Sequence, residues 1–255
     1  MKYSNKRSLS NKRQIEGRNP VLEALKAGTQ VVKIAFEEKM KADERIIQIR
    51  KLAQKKKIKI ERLRHKVLDK ISRTQAHQGV IGWAEEVEEL SIRQILEAVR
   101  RKDKEPFFVI LPDVTYEQNL GAVVRTAEAG GVDAVIVSHR ASQITPLVSR
   151  MAMGATEYLP LIHQNIFSAL KLFKEEGIKV VAADLKAEKT LFQSDLSGPI
   201  ALLIGNEHKG VSQTLSQKIN LRVKIPMLGR IGSLNLSVAA GILIYQVVRQ
   251  RQFLM

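Results

Sequence analysis

The strongest constraint on the fold is an alternation of short apolar runs with helical stretches, which begins at Pro106. The apolar runs are bounded by turn residues and cover 107–111, 134–137, 179–183, 200–204 and 221–225. Helical stretches lie between most of them, at 120–129, 146–153, 166–176 and 236–250. Short apolar runs of this kind fit buried parallel strands. The alternation therefore predicts an α/β sheet with helices on both faces.

A smaller α/β module is predicted before this alternation. Asn19 is placed to cap a short helix that ends at Gly28, and Asp43 is placed to cap a second helix that reaches about residue 57. Short strands are predicted over 31–36, 58–63 and 79–82. An acidic segment at 85–89 and a polar helix over 91–104 then change the composition. The junction between the two domains is therefore predicted between 86 and 105.

The net charge of +16 is distributed unevenly along the chain. Residues 1–82 hold 22 Lys and Arg against 8 Asp and Glu, whereas residues 83–255 hold 20 against 18. Residues 1–13 are basic and lack acids, which predicts a flexible tail that binds phosphate without sequence preference. A basic half beside a nearly neutral half indicates a nucleic-acid-binding module attached to a second domain. Aromatic residues are scarce in the basic half, which favours recognition of phosphates and folded RNA shape over base stacking.

Several classes of protein are disfavoured by what the sequence lacks. It contains no cysteine, no apolar run of the roughly 18 residues that span a membrane, and no apolar signal segment at its start. A cytoplasmic protein is therefore expected. The five histidines show no metal-ligand spacing, so no metal site is expected. Neither a Walker loop, nor a dinucleotide-binding glycine fingerprint, nor a serine-hydrolase elbow occurs.

The stretch 225–248 reads as a strand end, a loop with two glycines and a helix. Ser233 and Asn235 fall where the N-terminus of that helix is predicted. Unpaired N–H groups and the positive end of the helix dipole favour an anionic group there. The alternative is that Ser233 or Asn235 only caps a core helix.

Asn119 and Arg125 lie in a second motif, directly after the strand predicted at 107–111. Ligands of open α/β sheets bind beyond the carboxyl ends of the strands, so Asn119 is predicted at the mouth of a site. Arg125 follows about 9 Å further along the helix axis. An arginine in an apolar helix needs a partner, and a substrate phosphate would be bound by its two-pronged guanidinium. A salt bridge to an acid within the fold is the alternative.

A third motif connects the strand predicted at 200–204 to the next helix. Gly205 ends that strand and Gly210 opens the helix, so the loop between them can wrap a ligand with its backbone. Glu207 stands in the middle of this loop as a candidate site residue, with an ordinary surface carboxylate as the alternative. The motif is a weak signal when it is taken alone.

In this order and at these separations, the three motifs resemble those of the SpoU/TrmH branch of the SPOUT RNA 2′-O-ribose methyltransferases. The resemblance covers about 106–255. The segments 17–25 and 77–80 resemble the L30e-like substrate-binding domain of the bacterial 23S rRNA guanosine 2′-O-methyltransferases. One departure is Gly130, which replaces the bulky aromatic residue common before Gly131 in relatives.

The resemblance implies an α/β protein with a C-terminal SPOUT methyltransferase domain, knotted as a trefoil, over 106–255. It implies a smaller L30e-like RNA substrate-binding domain over 14–86, with a basic tail over 1–13 and a linker over 87–105. It also implies that S-adenosyl-L-methionine is the cofactor and that the protein is a homodimer.

The family's functional residues carry over onto matching positions of this sequence. Cofactor binding, largely through backbone groups, falls to Gly205, Ile225 and Leu234. The catalytic set falls to Asn119, Arg125, Glu207, Ser233 and Asn235. Arg125 is expected to engage the phosphate and the reacting oxygen of the target nucleotide, and Glu207 to position Arg125 or the substrate. Because a guanidinium is never deprotonated in proteins, the role expected for Arg125 is electrostatic activation rather than proton abstraction.

Methyl transfer from S-adenosylmethionine to a ribose 2′-OH of 23S rRNA is the leading functional hypothesis. A tRNA ribose 2′-O-methyltransferase is the second, although tRNA enzymes of this branch commonly carry short terminal extensions instead of a separate module. A non-catalytic RNA-binding or ribosome-assembly protein of the same fold is the third. A nucleotide-binding Rossmann oxidoreductase is a distant fourth.

Overall fold

The computed structural model describes residues 12–86, 89–205 and 213–253. The strands, in chain order, are β1 Arg13–Glu16, β2 Val31–Glu37, β3 Lys59–Leu63, β4 Val80–Ala84, β5 Phe107–Leu111, β6 Ala134–Val137, β7 Leu161–His163, β8 Lys179–Ala183, β9 Ile200–Ile204 and β10 Leu221–Val223. The helices are α1 Arg18–Ala27, α2 Glu44–Lys55, α3 His65–Ile71, α4 Ile92–Arg100, α5 Glu117–Ala129, α6 Pro146–Met151, α7 Ile166–Glu175, α8 Gln213–Ser216 and α9 Leu236–Phe253. Backbone contacts divide the chain into two compact units, Met1–Glu88 with Gln143–Tyr158 and Glu89–Ser142 with Leu159–Met255.

The first unit contains a four-stranded mixed sheet in the order β1-β4-β2-β3. Strands β2 and β3 are parallel, whereas β4 is antiparallel to both β1 and β2. Helices α1 and α2 pack against each other, and their apolar side chains share one core with those of β2. The three strands predicted in this region are confirmed to within two residues at each end.

The two helix starts predicted in the first unit have different outcomes. Helix α1 begins at Arg18 after Gly17, which has a φ of 100° and provides no side-chain cap. The prediction that Asn19 caps this helix is therefore wrong, because Asn19 already lies inside its first turn. Gly28 ends α1 in the left-handed conformation, as predicted. Asp43 caps α2 as predicted, since its carboxylate accepts a hydrogen bond from the backbone N–H of Ile46.

We expect Asp43→Ala to lower the free energy of unfolding by about 1 kcal/mol at neutral pH, because α2 loses its cap. The hydrogen bond from the backbone of Ile46, followed by one from Arg18, lowers the pKa of Asp43. A carboxyl with a lowered folded-state pKa stabilises the protein above its unfolded pKa, and this contribution is lost as the pH falls through the folded value. Urea unfolding at several pH values should therefore show the difference between wild type and variant shrinking below about pH 4. A constant difference down to pH 3 would contradict this assignment.

Residues 143–158 group with the first unit, although the resemblance places them inside the C-terminal domain. Arg13 holds this segment through a two-pronged ion pair, with both guanidinium Nη atoms 2.7 Å from the carboxylate oxygens of Glu157. The Thr29 hydroxyl also donates to Glu157, whose side chain is buried. Arg13, the last residue of the predicted flexible tail, begins β1 opposite Ala84. Residues 1–11 of the predicted tail lie outside the described residues.

The second unit contains a six-stranded sheet in the order β10-β8-β9-β5-β6-β7, with every neighbouring pair parallel. The five strands predicted here are confirmed, and β10 ends two residues earlier than predicted. The short edge strand β7 was not predicted. The parallel α/β sheet expected from the alternation is thus the fold of this unit.

Helices cover both faces of this sheet, as predicted. On one face, α4 and α7 pack against Phe108 and Ile110 in a single apolar core. The neighbouring residue Val109 is also buried but points to the opposite face, where α9 packs on β9 and on α5. Within the described parts of the chain, no helix combines the length and apolarity needed to cross a membrane.

Helix α4 occupies much of the segment that was predicted as a linker over 87–105. Ser91 caps this helix, and its buried residues Ile95, Leu96 and Val99 belong to the core of the second unit. The polar residues of α4 obscure its apolar stripe in the sequence, although the helix itself was predicted. Residues 92–100 therefore group with the second unit and pack into its core.

Candidate active site

Helices α5 and α9 are parallel and in close contact. A Cβ atom added to Gly241 would lie 3.6 Å from Cγ2 of Thr126, and one added to Gly130 would lie 2.4 Å from Cγ2 of Ile244. Thr126 faces Gly241, and Gly130, four residues further along the chain, faces Ile244, three residues further along α9. The two helices therefore run in the same direction and begin at the same end. A side chain at Gly130 would thus approach Ile244 more closely than van der Waals contact allows.

Asn119 and Asn235, from two separate motifs, meet where these helices begin. The Asn235 side-chain Nδ2 donates to Oδ1 of Asn119 at 3.0 Å. Asn235 Oδ1 accepts from the backbone N–H of Ser237 at 2.9 Å and from its hydroxyl at 2.6 Å. Asn235 therefore caps α9, which was one of its two predicted roles, and its amide also reaches Asn119.

This amide pair lies at the carboxyl edge of the parallel sheet. Helix α5 follows β5, so its N-terminus lies beyond the carboxyl end of that strand. The first N–H groups of parallel helices that start side by side create a local positive potential. The edge is therefore suited to a ligand with an anionic group, as in other open α/β sheets.

Arg125 lies on the same helix as Asn119, six residues further on. Its side chain is exposed, and it forms no hydrogen bond or ion pair with any residue in the described ranges. The alternative of an internal salt bridge is thus not observed in this part of the chain.

The remaining predicted site residues that the structure describes lie on loops that leave the sheet or lead into α9. Gly205 directly follows β9 and is half-buried, while Ile225 follows β10 and is half-buried. Ser233 is exposed and Leu234 is half-buried, and both precede the start of α9. Glu207 and Gly210 lie outside the described residues.

The loop before α9 exposes apolar side chains that sequence analysis did not single out. Leu228 is 99% exposed and Ile231 is 74% exposed. Gly229 and Gly232, which flank the central part of this loop, have open space around them. The loop thus presents apolar surface beside the candidate site.

Helix α9 is anchored at several points that sequence analysis also missed. The buried Gln246 donates to the carbonyl of Leu191, and Gln250 both donates to the Ser194 carbonyl and accepts from the N–H of Leu196. In the sequence, the one sign of these anchors is that polar residues interrupt an otherwise apolar helix. The anchors fix α9 against the segment between β8 and β9, and thereby fix the position of Asn235.

Arg251 anchors the C-terminal end of α9. Its guanidinium donates to the carbonyls of Glu105, Pro106 and Gly198, at 3.1, 3.0 and 2.6 Å, and lies 5.0 Å from the ring centroid of Phe107. Burial lowers the pKa of Arg251. These contacts lie at the amino ends of β5 and β9, away from the candidate site, and their role is structural.

One cluster in the first unit has the residue types of a metal site. Donor atoms of His65, Asp69 and His77 all lie within 4.8 Å of one another. However, both ring nitrogens of His77 already have protein partners, since Nδ1 accepts a hydrogen bond from the N–H of Gly79 and Nε2 lies 3.0 Å from Asp69 Oδ1. These contacts describe a hydrogen-bond network.

Comparisons with known proteins agree with this fold. The SpoU rRNA methylase family matches residues 106–245, and the RNA 2′-O ribose methyltransferase substrate-binding family matches residues 14–90. The chain therefore belongs to the SpoU family of RNA 2′-O-ribose methyltransferases, and the resemblance inferred from its motifs is confirmed.

Similar relatives span nearly the whole chain. A putative TrmH family tRNA/rRNA methyltransferase, YacO of Bacillus subtilis, is 35% identical over 92% of this chain and 94% of its own length. The 23S rRNA (guanosine-2′-O-)-methyltransferase RlmB of Coxiella burnetii is 32% identical over 96% of this chain and 98% of its own length.

Solved structures are similar over the same extent. An RNA 2′-O ribose methyltransferase superimposes with a TM-score of 0.80 at 26% identity, covering 96% of this chain and 91% of that one. The SpoU methyltransferase AviRb of Streptomyces viridochromogenes, solved in complex with AdoMet, has a TM-score of 0.77 at 24% identity. Its alignment covers 97% of this chain and 93% of that one.

Proposed function

We propose that this protein transfers a methyl group from S-adenosylmethionine to a ribose 2′-OH of 23S rRNA. The hydrogen bond between Asn119 and Asn235 carries the proposal, because it joins two catalytic motifs at the N-termini of two parallel helices. The relatives named RlmB support the choice of 23S rRNA as substrate. Since that RNA belongs to the ribosome, we place the protein in the cytoplasm.

The residues at the carboxyl edge of the second sheet fit the proposed cofactor. Gly205, Ile225 and Leu234 are candidates to hold it through backbone groups, and Gly205 has no side chain to obstruct close approach. The exposed apolar surface of Leu228 and Ile231 suits the adenine and thioether parts of such a ligand. When it is bound, the cofactor supplies an electrophilic methyl group.

The protein's own part in the reaction is to bind and orient the target nucleotide. Arg125, exposed and without a protein partner among the described residues, binds the phosphate of that nucleotide with two parallel hydrogen bonds. Asn119, Asn235 and Ser233 orient the ribose, and Glu207 positions Arg125 or the substrate. Because Arg125 stays protonated, it activates the hydroxyl electrostatically, and phosphate or water accepts the proton.

The proposal also includes the domain plan implied by the family. It comprises a basic tail over 1–13, an L30e-like RNA substrate-binding domain over 14–86, a linker over 87–105 and a SPOUT domain over 106–255. In the structure, residues 143–158 also group with the first unit, and the apolar residues of α4 pack into the core of the second unit.

A trefoil knot in the C-terminal domain and a homodimer complete the proposal. The knot is supported by the segment between β8 and β9. There the backbone N–H of Leu191 donates a hydrogen bond to the carbonyl of Lys224, and the carbonyl of Leu191 accepts one from the side chain of Gln246 in α9. The dimer is supported by Val238 and Tyr245, which are 49% and 50% exposed and lie seven residues apart on one stripe of α9.

Methylation of tRNA remains the second candidate, because the Bacillus relative is named for both tRNA and rRNA. We expect mass-spectrometric mapping to find a new ribose 2′-O-methyl group in 23S rRNA, but not in tRNA, after incubation with the protein and S-adenosylmethionine. Modification of tRNA alone would establish the second candidate. Methylation of neither RNA, together with no S-adenosylhomocysteine binding in calorimetry, would leave only a non-catalytic RNA-binding role.

A further inference from the structure

A buried carboxylate organises the surface loop over 72–79, between α3 and β4. Glu16 is fully buried and accepts hydrogen bonds from the Ser72 hydroxyl at 2.7 Å and the Arg73 N–H at 2.6 Å. It also accepts from the N–H and the hydroxyl of Thr74. Buried charge of this kind is tolerated only where hydrogen bonds compensate the loss of water, so Glu16 and the loop are mutually dependent.

A second buried group holds the other end of this loop. His77 is 3% exposed, and its ring lies between Asp69 Oδ1, at 3.0 Å from Nε2, and the N–H of Gly79, at 3.0 Å from Nδ1. The ring thereby fixes the backbone on both sides of Gln78, which has a positive φ of 52°.

Arg18, at the start of α1, supplies a third anchor. Its backbone N–H and its Nε donate to Oε1 and to the carbonyl of Gln78, each at 3.1 Å. Its Nη1 donates to Asp43 Oδ2 at 2.8 Å. The loop is thus tied to the beginnings of both α1 and α2.

These anchors hold a backbone that is strained locally. Gln75 and Gln78 both have φ values near 50°, which non-glycine residues rarely adopt and which persist only where surrounding contacts enforce them. The side chains of Arg73 and Gln75 are exposed and form no hydrogen bond with any residue in the described ranges. The loop is therefore rigid in its backbone while its outermost side chains are available to a ligand.

The loop is continuous in the chain with a strongly basic surface. We define the basic surface by nine exposed cations between residues 51 and 70, none of which forms an ion pair with a described residue: Lys51, Lys55, Lys56, Lys57, Lys59, Arg62, Arg64, Lys66 and Lys70. It covers the C-terminal half of α2, the edge strand β3 and α3. A surface of this composition attracts any RNA through its phosphates, without regard to sequence.

We propose that the loop over 72–79 is the part of the first unit that distinguishes the target RNA from other RNAs. The basic surface supplies general attraction, whereas the loop presents an amide and a guanidinium from fixed backbone positions. Such groups can form hydrogen bonds with base edges in an RNA loop or bulge. A rigid loop backbone allows them to discriminate between RNA shapes. This inference rests on the proposed function, because it takes 23S rRNA as the target.

The decisive variant is Arg73→Ala/Gln75→Ala, which removes the two outermost side chains and leaves every anchor in place. We expect the KM for methylation of deproteinised 23S rRNA to rise about tenfold with kcat unchanged, as for loss of a specific base contact. Filter binding should show the affinity for 16S rRNA, used as a non-target RNA, changing by less than about threefold.

The matched control is Lys55→Ala/Lys59→Ala, in the basic surface outside the loop. It should weaken binding of both RNAs by the same factor and lower the salt dependence of binding, since it removes phosphate contacts alone. A further variant, Glu16→Gln, should reduce discrimination as the loop variant does, because an amide cannot accept all the hydrogen bonds that the carboxylate accepts. If Glu16→Gln fails to fold, the loop variant still decides.

Two outcomes would overturn the inference. In one, the loop variant weakens 23S and 16S rRNA binding equally; in the other, it weakens neither. Failure of the proposed function has a different signature, in which the wild type incorporates no methyl group into any RNA. Even then, the ratio of the two dissociation constants, measured without the methylation assay, would test the role of the loop.

Discussion

Arg125→Ala should reduce kcat/KM for rRNA methylation by roughly 10³-fold, and Arg125→Lys by roughly 10- to 100-fold. The lysine variant keeps the charge but loses the two-pronged geometry that matches a phosphate. Because Arg125 is exposed and has no partner among the described residues, neither change should alter the free energy of unfolding by more than about 0.5 kcal/mol. Methyl incorporation under single-turnover conditions, together with urea unfolding, measures both quantities.

Arg101→Ala provides the matched control for this prediction. Arg101 is an exposed arginine at the end of α4, which covers the face of the sheet opposite α5. It forms an ion pair with Glu97 at 3.9 Å. We expect its removal to leave kcat/KM within about twofold of wild type, since a surface ion pair contributes little. If Arg125→Lys retains near-wild-type turnover, Arg125 does not act through two-pronged phosphate binding. Equal losses of kcat/KM in Arg125→Ala and Arg101→Ala would instead indicate general charge attraction.

Most of the second unit was predictable because its strands are buried on both faces. Runs such as 107–111 and 200–204 are apolar at every position, and their structural counterparts β5 and β9 are buried throughout. The elements that were not predicted, β1, β7 and α3, are three to seven residues long and contain polar or charged residues. Their stability comes from partners distant in sequence, such as Ala84 for Arg13, and no local pattern records such partners.

The candidate site was predictable in its residues but not in its contacts. Motif spacing suggested that Asn119 and Asn235 share a site, and the hydrogen bond between them joins residues 116 positions apart. Spacing could not indicate that Asn235 both caps α9 and reaches Asn119, because this depends on α5 and α9 being parallel. The anchors Gln246 and Arg251 were missed for a related reason, since their acceptors are backbone carbonyls, which carry no signal in the sequence.

The packing of α5 against α9 predicts a large effect of a single added methyl group on stability. Gly130→Ala should lower the free energy of unfolding by about 1 to 3 kcal/mol, because the added Cβ would lie 2.4 Å from Cγ2 of Ile244. Gly130 has a φ of −85°, which alanine adopts without strain, so the loss would come from overpacking and not from the backbone. Urea unfolding measures the change directly.

Ile244→Ala provides the test of that cause. Alone it should destabilise the protein by about 2 to 5 kcal/mol, since Ile244 is fully buried and its removal leaves a cavity. Combined with Gly130→Ala, it removes the atom that the new methyl group would strike, so the double variant should be more stable than the sum of the single effects predicts. A double-mutant cycle should give a favourable coupling of about 1 kcal/mol or more. Strict additivity would mean that Gly130→Ala acts through some contact other than Ile244, and the close approach of the two helices would then not be what restricts this position to glycine.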